Sequence, residues 1–285
     1  MKEKKRIEHR ILDRHTVLGM ILLTVLALVL VQLIIGGILG GLAGFILANL
    51  TGISSIPVMY IAFAIAAFIM LAIHKRWFYP EFKGNIIGGK DFARFMLITV
   101  IILLAVILPD IVVMLSTGAK YAFPSITSLL TALMAGTTEE VIFRGVPVSY
   151  AMRQYKEANK IPFVVLLSSI LFSLFHLSNI FVGAALSSTL LQLVTSLGMG
   201  CMLCAIYLRS GSIIPPMMLH FLYDVYALMS AGSVTETGVM EAAVSNRDII
   251  SNLILFVIEI LITCILLRKS VWEEVMSIWN QKWNR

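Results

Sequence analysis

The chain has 285 residues, of which 59% are hydrophobic and only 13% charged, and its net charge is +6; its mean hydropathy is +0.93. Average soluble domains carry about 25% charged residues, so this charge cannot cover a soluble globule, and the apolar residues fall in long runs. The basic residues sit at the chain ends and between those runs, as membrane topology predicts, which argues against a nucleic-acid-binding face.

Runs of about 20 apolar residues mark membrane-crossing helices. They predict an all-α fold, a polytopic transmembrane helical bundle of about eight transmembrane helices, forming a single integral membrane domain over 1–285 in the cell membrane. The runs are Val17–Leu47, Pro57–His74, Phe92–Ser116, Ser125–Tyr150, Ile161–Leu177, Leu186–Leu208, Ile213–Met229 and Ile249–Leu267. The first is too long for the apolar region of a signal peptide and reads as a retained helix. Its Gly36, Gly40 and Gly44, with Gly37 and Gly41, repeat at spacings of four, which lets a neighbouring helix approach closely.

Between the second and third runs, Trp77, Phe78, Tyr79 and Phe82 form an aromatic anchor. Cys201, Cys204 and Cys264 all lie in apolar runs; the first two have metal-knuckle spacing but lack a second pair, so they read as packing residues. After the eighth run, Trp272, Val275, Met276, Trp279 and Trp283 recur at helical spacing among Glu273, Glu274 and Lys282. This predicts an interfacial amphipathic tail over 270–285, with lipids as its partners.

Basic residues concentrate in alternate loops. Lys2, Lys4, Lys5, Arg6, Arg10 and Arg14 precede the first run; Lys75, Arg76, Lys83 and Lys90 follow the second; Arg153, Lys156 and Lys160 follow the fourth; Arg209 follows the sixth; Arg268 and Lys269 follow the eighth. The opposite loops hold only Lys120 and Arg247. Cytoplasmic loops are enriched in Lys and Arg, so both termini are expected in the cytoplasm.

Three runs carry polar residues that a lipid environment penalises and that are therefore candidates for function. In the fourth, Glu140 and Arg144 are four apart, on one helix face with the acid first, the favourable order for an ion pair. Glu139 is rotated by about 100° from Glu140 and is left unpaired, a carboxylate available as a general base or acid. In the fifth, His176 and Asn179 are three apart, and in the seventh His220 and Asp224 are four apart, each pair sharing a face. Asp224 can orient the imidazole or act beside it on a ligand.

One Glu and two His from three helices form a recognisable chemical set. His176 and His220 can bind Zn2+ or another divalent metal while a carboxylate activates water. Without a metal, the Glu–His pair can take the proton of the water, while the second His and its Asn or Asp partner stabilise an oxyanion. Either scheme hydrolyses an amide. Glu/His/Asp clusters also line ion pathways, so a proton-coupled transporter is the alternative from another class, and a catalytically silent binding or immunity protein is a third.

Glu139-Glu140 with Arg144, then Phe172 with His176, then His220 with Asp224, in this order on successive runs, resembles the CPBP family. That family comprises the CAAX-processing proteases and the bacteriocin-processing (Abi) proteins, and includes the type II CAAX prenyl endopeptidases. The resemblance covers Glu139 to Asp224. It implies an eight-helix membrane fold, a catalytic core over 125–230, and a glutamate-dependent endopeptidase acting on a membrane-associated peptide or protein. It also implies that Glu139 is the base and that the position of Asp224 is Asn or Asp. Hydrolysis needs water, so a polar cavity is expected between the fourth, fifth and seventh helices, most easily opened to the cytoplasm.

Overall fold

The computed structural model describes residues 12, 14–52, 54–86, 88, 91–117, 123–230 and 244–285. Lys2, Lys4, Lys5, Arg6, Arg10, Lys90 and Lys120 lie outside them. Every regular element among the described residues is helical. The long helices are α1 (Thr16–Leu28), α2 (Gly40–Thr51), α3 (Ser55–Ile73), α4 (Phe92–Thr117), α5 (Ile126–Glu140), α6 (Pro147–Gln154), α7 (Ile161–Phe175), α8 (Leu186–Ser210), α9 (Ile214–Ser230), α10 (Asn246–Leu266) and α11 (Trp272–Lys282). Wider π turns, Val29–Leu39 and Val141–Gly145, join α1 to α2 and α5 to α6; a third, His74–Phe78, extends α3.

Local chemistry sets several starts. The Ser125 hydroxyl accepts from Ser128 N at 3.0 Å, and Ser245 with Asp248 forms a capping box at α10. Proline occupies the first turn of α7, where its missing amide costs least.

Among the described residues, six helical segments are long and apolar enough to cross a membrane: Thr16–Thr51, Ser55–Phe78, Ile126–Gln154, Ala158–Val182, Leu186–Ser210 and Asp248–Leu266. The other two of the eight expected spans are also helices, but α9 has 17 residues. At 1.5 Å per residue it reaches about 26 Å, short of an about 30 Å hydrocarbon core. In α4, which has 26 residues, the apolar stretch among the described residues covers Phe92–Leu108. Outward-facing Leu22, Leu33, Leu97, Leu104, Ile254 and Leu261 are exposed, the apolar surface a lipid-facing bundle presents.

The glycine stripe is a close-packing face. A Cβ at Gly36 would lie inside the Phe63 ring, one at Gly40 would meet Ala62 Cβ at 2.7 Å, and one at Gly44 would meet Ser55 O at 2.8 Å. The repeat therefore lets α3 lie against the first helical rod.

From α5 onward the rods run alternately up and down, so the loops holding Arg153, Arg209 and Arg268 share one end, here the basic end. That end is closed by α11 and residues 79–86. Arg209 Nη1 meets Glu274 Oε2 at 2.6 Å and Arg153 Nε meets Glu81 Oε1 at 3.1 Å. Trp279 Nε1 donates to Leu208 O at 3.0 Å and Trp283 Nε1 to Ser149 O at 3.1 Å. These two tryptophans, expected at the lipid headgroups, are instead buried within the protein, and Phe82 stacks on Trp283 at 4.4 Å. Of the expected aromatic anchor Trp77 is exposed, whereas Tyr79 and Phe82 are buried in the protein.

Candidate active site

Glu139 and Glu140 end α5, and the backbone widens at once into the π turn Val141–Gly145 that carries Arg144. Such π segments recur at functional sites because they re-aim side chains within a helix. Glu140 Oε1 and Arg144 Nη1 are 2.8 Å apart with both side chains 0% exposed. Arg144 also donates to Gly200 O at 3.3 Å and lies over the Phe172 ring at 4.2 Å. The expected ion pair is therefore present, wedged between α7 and α8.

Glu140 does more than pair with Arg144. The same Oε1 accepts from His220 Nδ1 at 2.9 Å. This fixes the ring of His220 and turns its Nε2 toward the two remaining carboxylates, 3.7 Å from Glu139 Oε2 and 3.6 Å from Asp224 Oδ2. Glu140, rather than Asp224, thus orients the imidazole. Both distances exceed a direct hydrogen bond and leave room for an oxygen atom to bridge.

His176 is reached differently. Helix α7 stops at Phe175, and His176–Val182 wind into a tighter 3₁₀ turn. His176 Nδ1 donates to Phe172 O at 3.0 Å, leaving Nε2 as its second ring nitrogen. Asn179, expected to act with His176, instead donates to Gln192 Oε1 at 2.8 Å. Phe172 is the shared floor: its ring meets the His176 ring at 4.9 Å and the His220 ring at 5.9 Å, both edge to face.

The approach of α5 to α9 makes the cluster possible. A Cβ on Gly136 would meet Phe221 N at 2.8 Å and Met217 O at 3.1 Å, so the two backbones are nearly in contact one turn before Glu140. Only glycine allows that separation without a shift. Pro215 and Pro216 occupy the first turn of α9, where missing amides cost least.

Glu139, His176, His220 and Asp224 line one cavity of about 370 Å³ with Phe172, Asn179, Gln192 and Thr195. That is ample for several waters, each taking about 30 Å³. Glu139 is 15% exposed and Asp224 28%, whereas Glu140 is sealed off behind them. The expected polar cavity is therefore there, between the expected helices. It does not run toward the basic end. Its lining comes from 131–139 of α5, 188–199 of α8, 220–228 of α9 and 248–252 of α10, in each case the part of the helix remote from Arg153, Arg209 and Arg268. Toward the basic end the same helices are packed dry: Val141, Ile142, Phe143, Leu203, Cys204 and Tyr207 are all at most 1% exposed.

Among the described residues, no three His, Cys, Asp or Glu side chains are disposed to share a metal ion. His220 uses Nδ1 on Glu140, and Cys201 and Cys204 are buried packing residues in α8. The donor set expected from His176 and His220 thus lacks a third protein ligand, and a tight structural or catalytic site ordinarily supplies at least three.

Several polar residues of the bundle escape the spacing arguments. Gln192 lines the cavity, and Gln32 donates to Thr138 Oγ1 at 3.4 Å from the first helical rod. Glu259 in α10 is 1% exposed, set against Gly198, and its Oε2 has no hydrogen-bond partner. A lone acid in an apolar run is itself the signal for Glu259. Gln32 and Gln192 are uncharged and give none.

Residues 121–226 match the family described as type II CAAX prenyl endopeptidase Rce1-like. Over this segment the chain is similar to that family. The match covers the whole cluster, from the rod of Glu139, Glu140 and Arg144 through His176 to His220 and Asp224, and stops as α9 passes Asp224. The likeness suggests a peptidase as the reaction class. No curated protein and no solved structure matches the chain.

Proposed function

We propose that the protein is an intramembrane endopeptidase that hydrolyses peptide bonds of membrane-associated substrates with a water activated by Glu139. The observation that carries this reading is the disposition of Glu139 Oε2 and His220 Nε2, 3.7 Å apart on the wall of a water-sized cavity, with the other nitrogen of His220 anchored by Glu140. A base, a fixed imidazole and room for water are the minimum for amide hydrolysis.

In the proposed reaction Glu139 takes a proton from the water as its oxygen bonds to the substrate carbonyl carbon. Negative charge then develops on the carbonyl oxygen, where His176 and protonated His220 are the donors within the cavity. The C–N bond breaks as the proton held by Glu139 passes to the departing nitrogen, and the products are a carboxylic acid and an amine, which exchange a proton to become a carboxylate and an ammonium. Glu140 and Arg144 touch no reacting atom; they are positioning residues that hold the His220 ring. Carboxylate and imidazole suffice for each step.

The test is hydrolysis of a peptide library by the purified protein in detergent, read by mass spectrometry, with Glu139→Gln as control. Cleavage present in the parent and lost in the variant supports the reading. Equal cleavage by both overturns the assignment of the base, and no cleavage together with proton-coupled uptake in liposomes replaces the peptidase with a carrier.

A further inference from the structure

The basic end holds a second cavity, which the proposed reaction leaves unused. It is a cleft of about 720 Å³, lined by the cations of Lys75, Lys83, Arg209 and Lys282 and by the carboxylates of Asp91 and Glu274. The helices that reach it give its depth in the membrane. Lys75 lies in the last turn of the apolar segment Ser55–Phe78, and Arg209 and Ser210 end the segment Leu186–Ser210. Two residues after Lys75, Trp77 is exposed, the usual setting of a tryptophan among lipid headgroups. The cleft therefore lies at the level of the lipid phosphates.

The fold places these cations. Helix α11 turns Glu274, Ser277, Ile278, Gln281 and Lys282 toward the cleft, positions three or four apart on one face. Lys282 is 7% exposed. Its stem packs on Gly211, where a Cβ would meet Lys282 Cε at 2.8 Å, and its Nζ donates to Gly84 O at 2.8 Å. Lys75 arrives at the same place. Its Nζ would lie 3.8 Å from a Cβ on Gly84, and it donates to Lys83 O at 3.4 Å. Two ammonium groups, each with three donors, thus converge on one glycine. Burial, and then the like charge of Lys75, bring the pKa of Lys282 down to about 8. An anion seated beside them offsets that repulsion.

The neighbouring groups narrow the chemistry of the anion. Arginine is the side chain suited to grip a carboxylate with two parallel bonds, but Arg209 Nη1 is already 2.6 Å from Glu274 Oε2. With Glu274 neutralised, three lysines face Asp91 across the cleft walls. Lysines hold phosphates as point charges, and the Ser277 hydroxyl and Gln281 amide add neutral donors. Basic pockets at the ends of membrane helices are also where anionic headgroups bind.

We infer that this cleft binds a phosphate-bearing anion, either the headgroup of an anionic lipid in the leaflet at the basic end or a small phosphate from solution. It shares no lining residue with the cavity of Glu139, so the site stands whether or not the protein is a peptidase.

Native mass spectrometry and thermal unfolding of the full chain in a neutral detergent test this, with dioleoyl phosphatidylglycerol, dioleoyl phosphatidylcholine or glycerol 1-phosphate added. For a lipid ligand, phosphatidylglycerol should be retained and should raise the melting temperature, while phosphatidylcholine and glycerol 1-phosphate do neither. For a soluble ligand, glycerol 1-phosphate should raise the melting temperature as much as phosphatidylglycerol does. Lys75→Gln and Lys83→Gln alter exposed side chains, so both variants should fold. Each should weaken binding about fivefold, the worth of one lysine near a charged surface. Lys156→Gln combined with Lys160→Gln removes as much charge outside the cleft and should leave binding unchanged. Equal retention of both lipids without a response to glycerol 1-phosphate overturns the inference, as does the absence of any response. Binding that survives in both Lys75→Gln and Lys83→Gln, or that falls equally in the Lys156→Gln, Lys160→Gln protein, overturns it as well.

Discussion

Glu139 and Glu140 are adjacent, yet one residue of helical rotation gives them opposite environments. Glu140 is fully buried and divided between Arg144 and His220, whereas Glu139 borders the cavity. Their substitutions should fail in different ways. Glu139→Gln keeps the size and hydrogen-bonding capacity of the side chain, so the protein should fold with an unchanged melting temperature. Its turnover should fall by about 10²–10⁴-fold, the range for losing a general base. Arg144→Ala leaves Glu140 as an uncompensated buried charge, which costs about 3–5 kcal/mol; a clear drop in folded yield and melting temperature in detergent is the expected result. A cleavage-dead Arg144→Ala protein of parental stability would contradict the positioning role.

At the scale of elements, the short separation between α5 and α9 is what joins Glu140 to His220, residues 80 positions apart. Gly136→Val puts a branched side chain where Phe221 N and Met217 O stand. Overpacking of this kind costs about 1–3 kcal/mol and should separate Glu139 from His220, lowering kcat more than it raises KM. The spacing of four within a helix made the Glu140–Arg144 and His220–Asp224 faces legible, because helix geometry is local. It could not reveal that Glu140 also holds His220, since no spacing encodes a contact between distant helices. Nor could it foresee that α7 would end at Phe175 and turn Asn179 toward Gln192. The amphipathic pattern of 270–285 likewise fixed a helix but not what its tryptophans face.

That helix carries a pH signal. The Lys282 ammonium donates to Gly84 O at 2.8 Å from a largely buried position. Burial, helped by the nearby charge of Lys75, brings its pKa down to about 8 from 10.5. The folded chain therefore releases this proton before the unfolded chain does, and stability should rise as pH climbs from about 8 to 10.5. Thermal unfolding of Lys282→Met against pH should lack that rise.

For the whole molecule, composition and run length made a helical membrane protein plain, because burial in lipid demands apolar length and internally satisfied backbones. Six segments meet both conditions among the described residues; α9, with 17 residues, is short, which an apolar run in the sequence does not weigh. The basic end is a sealed, aromatic-lined cap, so removing its anchor should damage the entire bundle. Trp279→Ala is expected to cost about 3–5 kcal/mol, seen as a lower melting temperature. The site draws on carboxylates and imidazoles without a three-ligand set, so dialysis against EDTA should leave hydrolysis unchanged; loss restored by added Zn2+ would reverse that conclusion.

The dry layer from Val141 to Met152 also decides which bulk phase exchanges protons with the site. Water can reach Glu139 from the cavity mouth, and tightly packed apolar side chains do not conduct protons the other way. The acidity that sets the charge of the site is then that of a single compartment. In proteoliposomes, changing the pH on the mouth side should shift the rate of cleavage, while the same change on the basic side should leave it where it was.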